Sequence, residues 1–152
     1  MENYAFLCLP FHGKSQKEIR KDLQVCEKWF RQVITDEDMQ FINNNIAYPR
    51  FNQTDNNFRL MCVSIGLLIK MRKADNICFG PGWEKSKGCM LEAFAAALYG
   101  KHIYAITSID DTVHIVTGEA AYMSIMDALI DYFRKGGKPI EERTKNHVRD
   151  HQ

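Results

Sequence analysis

A glycine-rich turn followed by a helix start offers the clearest chemistry in this chain of 152 residues. The turn spans residues 80–82, and the residues after it supply a hydroxyl at Ser86 and a carboxylate at Glu92 in the first helical turn. Backbone N–H groups at residues 87–89 would have no partner inside the helix and would point toward an anion. These groups together predict a phosphate or sugar site, although glycine-rich turns also occur for purely architectural reasons.

The elements around this turn place it at one end of a strand in a sheet. Residues 77–79 predict a short buried strand, and residues 89–99 have the periodicity of a helix that Gly100 ends. The turn therefore lies at the carboxyl end of a strand, where open α/β sheets bind ligands.

A second loop would face the same crevice. The apolar run at residues 4–11 predicts a central parallel strand, and Pro10, His12, Gly13 and Lys14 lie at its end. Lys14 is a candidate partner for an anion. His12 could donate a hydrogen bond or act as an acid, and a solvated turn histidine explains it equally well.

The order of residues from Gly80 to Glu92 is more specific than the turn alone. It runs Gly-Pro-Gly-Trp-Glu-x-Ser-x-Gly-Cys-x-x-Glu, which resembles the signature loop of the nucleoside 2-deoxyribosyltransferase superfamily, most closely a branch common in phages and bacteria. Nucleotide N-glycosidases that hydrolyse deoxynucleoside monophosphates are similar here. The resemblance covers about residues 4–106. It implies a nucleotide-derived ligand and a homo-oligomer whose partner subunit completes the pocket.

The resemblance assigns roles to the two polar residues of the loop. In the resembling enzymes the glutamate that matches Glu92 attacks the anomeric carbon of the sugar or stabilises its oxocarbenium-like transition state. Ser86 matches the serine of the monophosphate hydrolases, whereas the transferases carry an aspartate that would repel a phosphate. The structural alternatives are an exposed helix-start glutamate favoured by the dipole and an N-cap serine.

Gly82, Trp83 and Gly88 complete the predicted ligand contacts of this loop. Trp83 and Tyr48 are candidates to stack a base, and each is equally well explained as a packing aromatic. Neither a metal site nor a cofactor is predicted.

Two positions depart from the pattern of the catalytic members. Those members carry an aspartate about two helical turns before the position of Asp75, where this chain has Gly66 and Leu67, and a tyrosine in the first strand, where Phe6 stands. Loss of general acid–base help costs typically ~10²–10⁴-fold in rate. Arg59 could replace a charged contact but not a carboxylate's proton chemistry. We therefore expect binding and leave catalysis open, with Asp75 as a structural residue.

Composition excludes several classes of protein. The net charge is +1, with basic and acidic residues interspersed, so there is no electrostatic footprint for nucleic acid. The five cysteines show no CxxC spacing, which argues against a disulfide framework or a zinc site and favours a cytoplasmic protein. No apolar run has the length of a membrane span or of a signal peptide, so no membrane partner is expected.

The elements alternate between strand and helix along the chain. Beyond those given above, we predict a helix at residues 16–33, a short helix at 36–43, a strand at 45–49, a helix at 58–73, strands at 102–106 and 112–117, and a helix at 120–133. This order predicts an α/β protein with a Rossmann-like, doubly wound parallel sheet in a single domain at residues 1–137. A charged tail follows at residues 138–152.

Three functions fit these features. The leading one is a nucleotide-binding protein that cleaves or transfers an N-glycosidic bond with Glu92 as nucleophile. The second is a non-catalytic binder, such as a phage or bacterial sponge for a nucleotide signal. A phosphoribohydrolase of the cytokinin-activating type is a weaker third, because the chain lacks its PGGxGT run.

Overall fold

The computed structural model describes residues 3–11, 13–42, 68–109 and 112–135. Within these residues the chain forms a five-stranded sheet of order β2-β1-β3-β4-β5. The strands are β1 Tyr4–Cys8, β2 Gln40–Phe41, β3 Asn76–Phe79, β4 His102–Ile109 and β5 Thr112–Thr117. The first four are parallel and β5 is antiparallel to β4. The predicted α/β, Rossmann-like fold in a single domain is confirmed.

Helices cover both faces of this sheet. Helix α1, Gln16–Val33, lies on one face, while α2, Lys87–Leu98, and α3, Gly118–Arg134, lie on the other. Strand β1 alternates between the two layers, since Ala5 and Leu7 pack with the α1 side and Phe6 and Cys8 pack with the α2 side. Both faces of the strand are therefore buried, which explains its continuous apolar sequence.

The strand order places a point of divergence at the carboxyl ends of β1 and β3. These two strands pair from Ala5↔Asn76 to Cys8↔Phe79, although β2 lies between them in the chain. The loop after β1 leads to α1 on one face, and the loop after β3 leads to α2 on the other face. Such a point of divergence is where open α/β sheets leave room for a ligand.

Close packing of the two strand ends requires a glycine at position 80. A Cβ there would lie 2.1 Å from Leu9 Cδ2 and 2.8 Å from Cys26 Sγ. The Gly80 N–H donates to the Cys8 carbonyl oxygen at 2.9 Å, which extends the β1–β3 pairing by one hydrogen bond. The first glycine of the loop therefore holds the strand ends together.

Helix α1 and strand β5 have the predicted bounds, whereas β4 extends to Ile109 instead of residue 106 and α3 begins at Gly118 instead of residue 120. Two predictions of another kind also need correction. Residues 36–39 form a turn that leads into β2, not a helix, because the Asp36 side chain accepts from the Asp38 N–H at 3.0 Å and its carbonyl accepts from the Met39 N–H at 3.2 Å. Strand β5 runs antiparallel because the two residues at 110 and 111 are too few for a crossover.

Several predicted elements lie outside the described residues. These are the strand at 45–49, the tail at 138–152 and most of the helix at 58–73, of which residues 68–71 are described and are helical. Across the described ranges, no helix has both the length and the apolar composition that a membrane crossing requires.

Candidate functional site

The two predicted loops meet at the carboxyl ends of β1 and β3. Gly82 has the left-handed backbone conformation, with φ of +81°, and a Cβ at this position would lie 3.3 Å from Pro10 Cγ. Glycine is favoured here because other residues adopt this conformation rarely. The loop that carries Pro10 and the loop that carries Gly82 therefore form the two adjacent walls of one site.

Glu92 lies beside the end of β1 and is buried, not on the surface. Helix α2 begins at Lys87, earlier than predicted, so Glu92 falls in the second turn and points toward β1. Its side chain is 3% exposed, and its Oε2 accepts a hydrogen bond from Cys8 Sγ at 3.0 Å. The alternative of an exposed helix-start glutamate is therefore wrong.

Burial controls the ionisation of this pair. Removal from water raises the pKa of Glu92 from its ordinary 4.5 to about 8, and the hydrogen bond from Cys8 opposes part of that rise. The pKa of the Cys8 thiol lies well above its usual range, because of burial first and the nearby Glu92 second. At neutral pH Glu92 is therefore largely protonated, and Cys8 is a thiol that donates its hydrogen.

Ser86 caps helix α2. Its hydroxyl oxygen accepts from the Cys89 N–H at 3.3 Å, so the structural alternative for this serine holds and the Cys89 N–H is not free for a ligand. The serine hydroxyl still has its own hydrogen to donate. The N–H groups of Lys87 and Gly88 belong to the first turn, where a helix supplies no internal acceptor.

Lys14 is paired within the protein. Its Nζ lies 2.6 Å from Asp22 Oδ2, and both side chains are more than one-third exposed. Its backbone N–H donates to Phe11 O at 3.2 Å, which closes the turn after β1, and Gly13 in that turn has φ of +76° and is exposed. His12 lies outside the described residues.

Trp83 is a packing residue in this structure. Its ring is buried and lies 5.4 Å from the Phe79 ring, and its indole N–H donates to the Ile106 carbonyl at 3.0 Å. The ring fixes the 3-10 helix Trp83–Lys85 onto β4 and presents no face to a base. Tyr48 lies outside the described residues.

The residues weighed against the enzyme pattern fall in three places. Phe6 is buried in the core on the α2 side of β1. Asp75 lies at the amino end of β3, whereas Glu92 contacts the carboxyl end of β1. The backbone carbonyl of Asp75 accepts from the His102 N–H at 2.9 Å, as expected of a structural residue. Arg59, Gly66 and Leu67 lie outside the described residues.

Sequence analysis missed the contribution of Cys8. The cysteine reads as one more apolar residue of a buried strand, and its spacing of two from Phe6 was the available signal that both point toward α2. A thiol is a weak donor that hydropathy patterns do not distinguish from a methyl group.

Two open clefts lie away from this site. One, of about 550 Å³, is at the amino ends of the strands and includes Asn3, Asp36 and Asn76. The other, of about 530 Å³, lies between α2 and α3 and is lined mainly by apolar side chains such as Phe94 and Met126. In the part of the chain that the structure describes, no group of three or more His, Cys, Asp or Glu side chains is arranged to hold a metal ion.

No family model, curated protein or solved structure matches this chain. The resemblance to the nucleoside 2-deoxyribosyltransferases therefore stays a prediction from the residues of the loop.

The buried carboxyl predicts a stability that depends on pH. Because the pKa of Glu92 is raised to about 8 in the folded state, the folded protein binds a proton more tightly than the unfolded chain. We expect the free energy of unfolding to fall as pH rises from about 5 to about 8, by up to about 1.4 kcal/mol per unit. Urea denaturation across this range should show the slope in the wild type and a flatter curve in Glu92→Gln.

Glu84→Gln is the matched control, because Glu84 is exposed three residues before the start of the same helix. This control should keep the wild-type slope. A slope that survives in Glu92→Gln would show that Glu92 ionises normally in the folded protein.

Proposed function

We propose that this protein binds a nucleotide or a nucleotide-derived metabolite between the loops that follow β1 and β3, and that Glu92 cleaves or transfers the N-glycosidic bond. The observation that carries the proposal is a carboxyl buried at the point where the sheet diverges, held by Cys8 at 3.0 Å. Burial of a carboxyl is costly, and carboxyls with perturbed pKa values are concentrated at functional sites. Among the described residues, no lysine or arginine is paired with it.

The chemistry requires the ionised form of Glu92. Its carboxylate would attack the anomeric carbon, the bond from that carbon to the base would break, and the departing base would take up a proton. Water would then release the sugar in hydrolysis, or a second base would take it in transfer. Because Glu92 is 3% exposed, the two loops must open before a sugar reaches it.

The crevice also has groups suited to an anion. The Ser86 hydroxyl and the N–H groups of Lys87 and Gly88 lie at the start of α2, where the helix dipole favours negative charge. Lys14 is held by an exposed ion pair with Asp22, and such pairs contribute only about 0–1 kcal/mol. A phosphate could therefore draw Lys14 away from Asp22 at little cost.

A non-catalytic nucleotide binder is the second candidate. The high pKa of Glu92 favours it, because a protonated carboxyl is not a nucleophile at neutral pH. The sequence also lacks the aspartate of the catalytic members at positions 66 and 67. Such a protein would serve as a cytoplasmic sensor or sponge for a nucleotide signal, of phage or bacterial origin.

A homo-oligomer is part of the same proposal. Helix α2 is apolar on its outer side as well as its buried side, with Phe94 at 50% and Leu98 at 66% exposure. On α3, Met126 and Phe133 continue this apolar surface. A helix that is apolar all round is normally covered, and large exposed apolar patches mark interaction surfaces. A second copy of the chain is the occupant that the sequence resemblance implies.

We expect a deoxynucleoside monophosphate to bind at least about tenfold more tightly than its nucleoside, because each charge-assisted contact contributes roughly 1.5–3 kcal/mol. Calorimetry with matched pairs tests this. Ser86→Asp should reverse the preference, and aspartate is as good an N-cap as serine, so the helix is retained. Asp22→Asn should strengthen nucleotide binding by releasing Lys14. Equal affinities of the wild type for both members of every pair would contradict the anion site.

For catalysis, we expect Glu92→Gln to lower base release from nucleotides by at least about 10²-fold while the ligand still binds, because the amide keeps the shape but not the nucleophilic charge. The wild-type rate should increase with pH up to about 8, as Glu92 ionises. Chromatographic base release and ligand-induced melting shifts should be measured for both proteins. Melting shifts in both without base release by the wild type would establish the binder, and unchanged turnover in Glu92→Gln would eliminate the mechanism.

For the oligomer, we expect light scattering to give a mass above that of one chain, and Leu98→Asp to reduce it by placing a charge in the apolar surface. Val113→Asp is the matched control, because Val113 is 54% exposed on β5, in a different part of the surface. A wild-type mass equal to one chain at all concentrations would contradict the proposal.

A further inference from the structure

Cys8 contacts the Glu92 carboxyl from the sheet. It is the last residue of β1, is 1% exposed, and reaches across to α2 over a sequence separation of 84 residues. Its backbone is held against β3, since it pairs with Phe79 and its carbonyl accepts from the Gly80 N–H. The thiol is therefore carried by a paired strand and not by a loop.

We propose that Cys8 is a positioning residue, whose thiol holds Oε2 of Glu92 so that the other carboxylate oxygen is presented to the sugar. This inference rests on the proposed function of Glu92 as a nucleophile. A donor on one oxygen fixes the rotation of the carboxylate group, and a donor carried on a strand fixes it more firmly than a donor on a loop.

The hydrogen bond also acts on ionisation. A donor stabilises the charged carboxylate more than the neutral acid, so Cys8 lowers the pKa of Glu92 against the larger effect of burial. The other titratable group that interacts with Glu92 among the described residues is the Cys89 thiol on its own helix. Cys89 carries no charge at neutral pH, because burial raises its pKa, so Cys8 is the group whose replacement should change the ionisation of Glu92.

A matched pair of variants separates donation from packing. Serine and alanine are nearly the same size, so Cys8→Ser and Cys8→Ala leave nearly the same space, but serine keeps a donor that is stronger than a thiol. Cys78→Ala is the control for loss of a buried thiol, since Cys78 lies in the neighbouring strand and faces α1. If Cys8→Ala does not fold, Cys8→Val supplies an apolar side chain that fills the space without donating.

The first measurement needs no substrate. NMR can follow the ionisation of Glu92 through the resonance of its side-chain carboxyl carbon as pH is varied. This resonance is assigned by its absence from the spectrum of Glu92→Gln. We expect the midpoint to be lowest in Cys8→Ser, intermediate in the wild type and in Cys78→Ala, and highest in Cys8→Ala. The midpoints of Cys8→Ser and Cys8→Ala should differ by about one pH unit or more.

The second measurement is base release against pH for the same proteins. Below its midpoint the rate follows the ionised fraction, so Cys8→Ala should be about tenfold slower than Cys8→Ser near neutral pH. At high pH, where Glu92 is ionised in both, a remaining deficit in kcat for Cys8→Ala would report lost orientation. A role in packing alone would lower the stability of both variants without shifting either profile.

The two measurements distinguish the two possible failures. Coincident midpoints and coincident rate profiles for Cys8→Ser and Cys8→Ala would overturn the role of Cys8 while leaving the function of Glu92 intact. Absence of base release in the wild type, together with the expected shift of the NMR midpoint, would overturn the proposed function and the positioning of a nucleophile. The effect of Cys8 on Glu92 ionisation would then stand alone.

Discussion

The pairing of β1 with β3 is the constraint on which the rest of the molecule depends. It brings together two strands that are distant in the chain and sends the loops after them to opposite faces of the sheet. The strand ends approach so closely that position 80 has no room for a side chain between Leu9 and Cys26. One consequence is structural, since α1 and α2 are placed in separate layers. The other is chemical, since Cys8 and Glu92 come into contact.

Burial of the Glu92 carboxyl costs the protein stability. A carboxyl removed from water is stable as the neutral acid and expensive as the anion, and a single thiol offsets little of that cost. An apolar residue at this buried position would carry no such cost. The fold therefore does not need a glutamate at this position, which is why the site proposal centres on this residue and not on the exposed charges of the loops.

Periodicity predicted most of the fold and only part of the site. The bounds of α1 and β5 follow from spacing in the sequence, because one apolar face in a helix and β-branched alternation in a strand are local properties. The meeting of the two loops was predicted from the general behaviour of parallel sheets. Contacts between side chains were not, because they depend on distances that the sequence does not contain. The ion pair of Lys14 with Asp22 and the hydrogen bond from the Trp83 indole to the Ile106 carbonyl are of this kind.

The division of the core into two layers also divides the described cysteines. Cys8 and Cys89 lie in the layer under α2 and α3, whereas Cys26 and Cys78 lie in the layer under α1. All four are free, and burial raises their pKa, so thiol reagents can react with them only when their surroundings loosen. Each layer thus contains its own intrinsic probe of local unfolding. The rates at which the two pairs are labelled would show whether the layer that holds the carboxyl opens independently of the layer on the other side of the sheet.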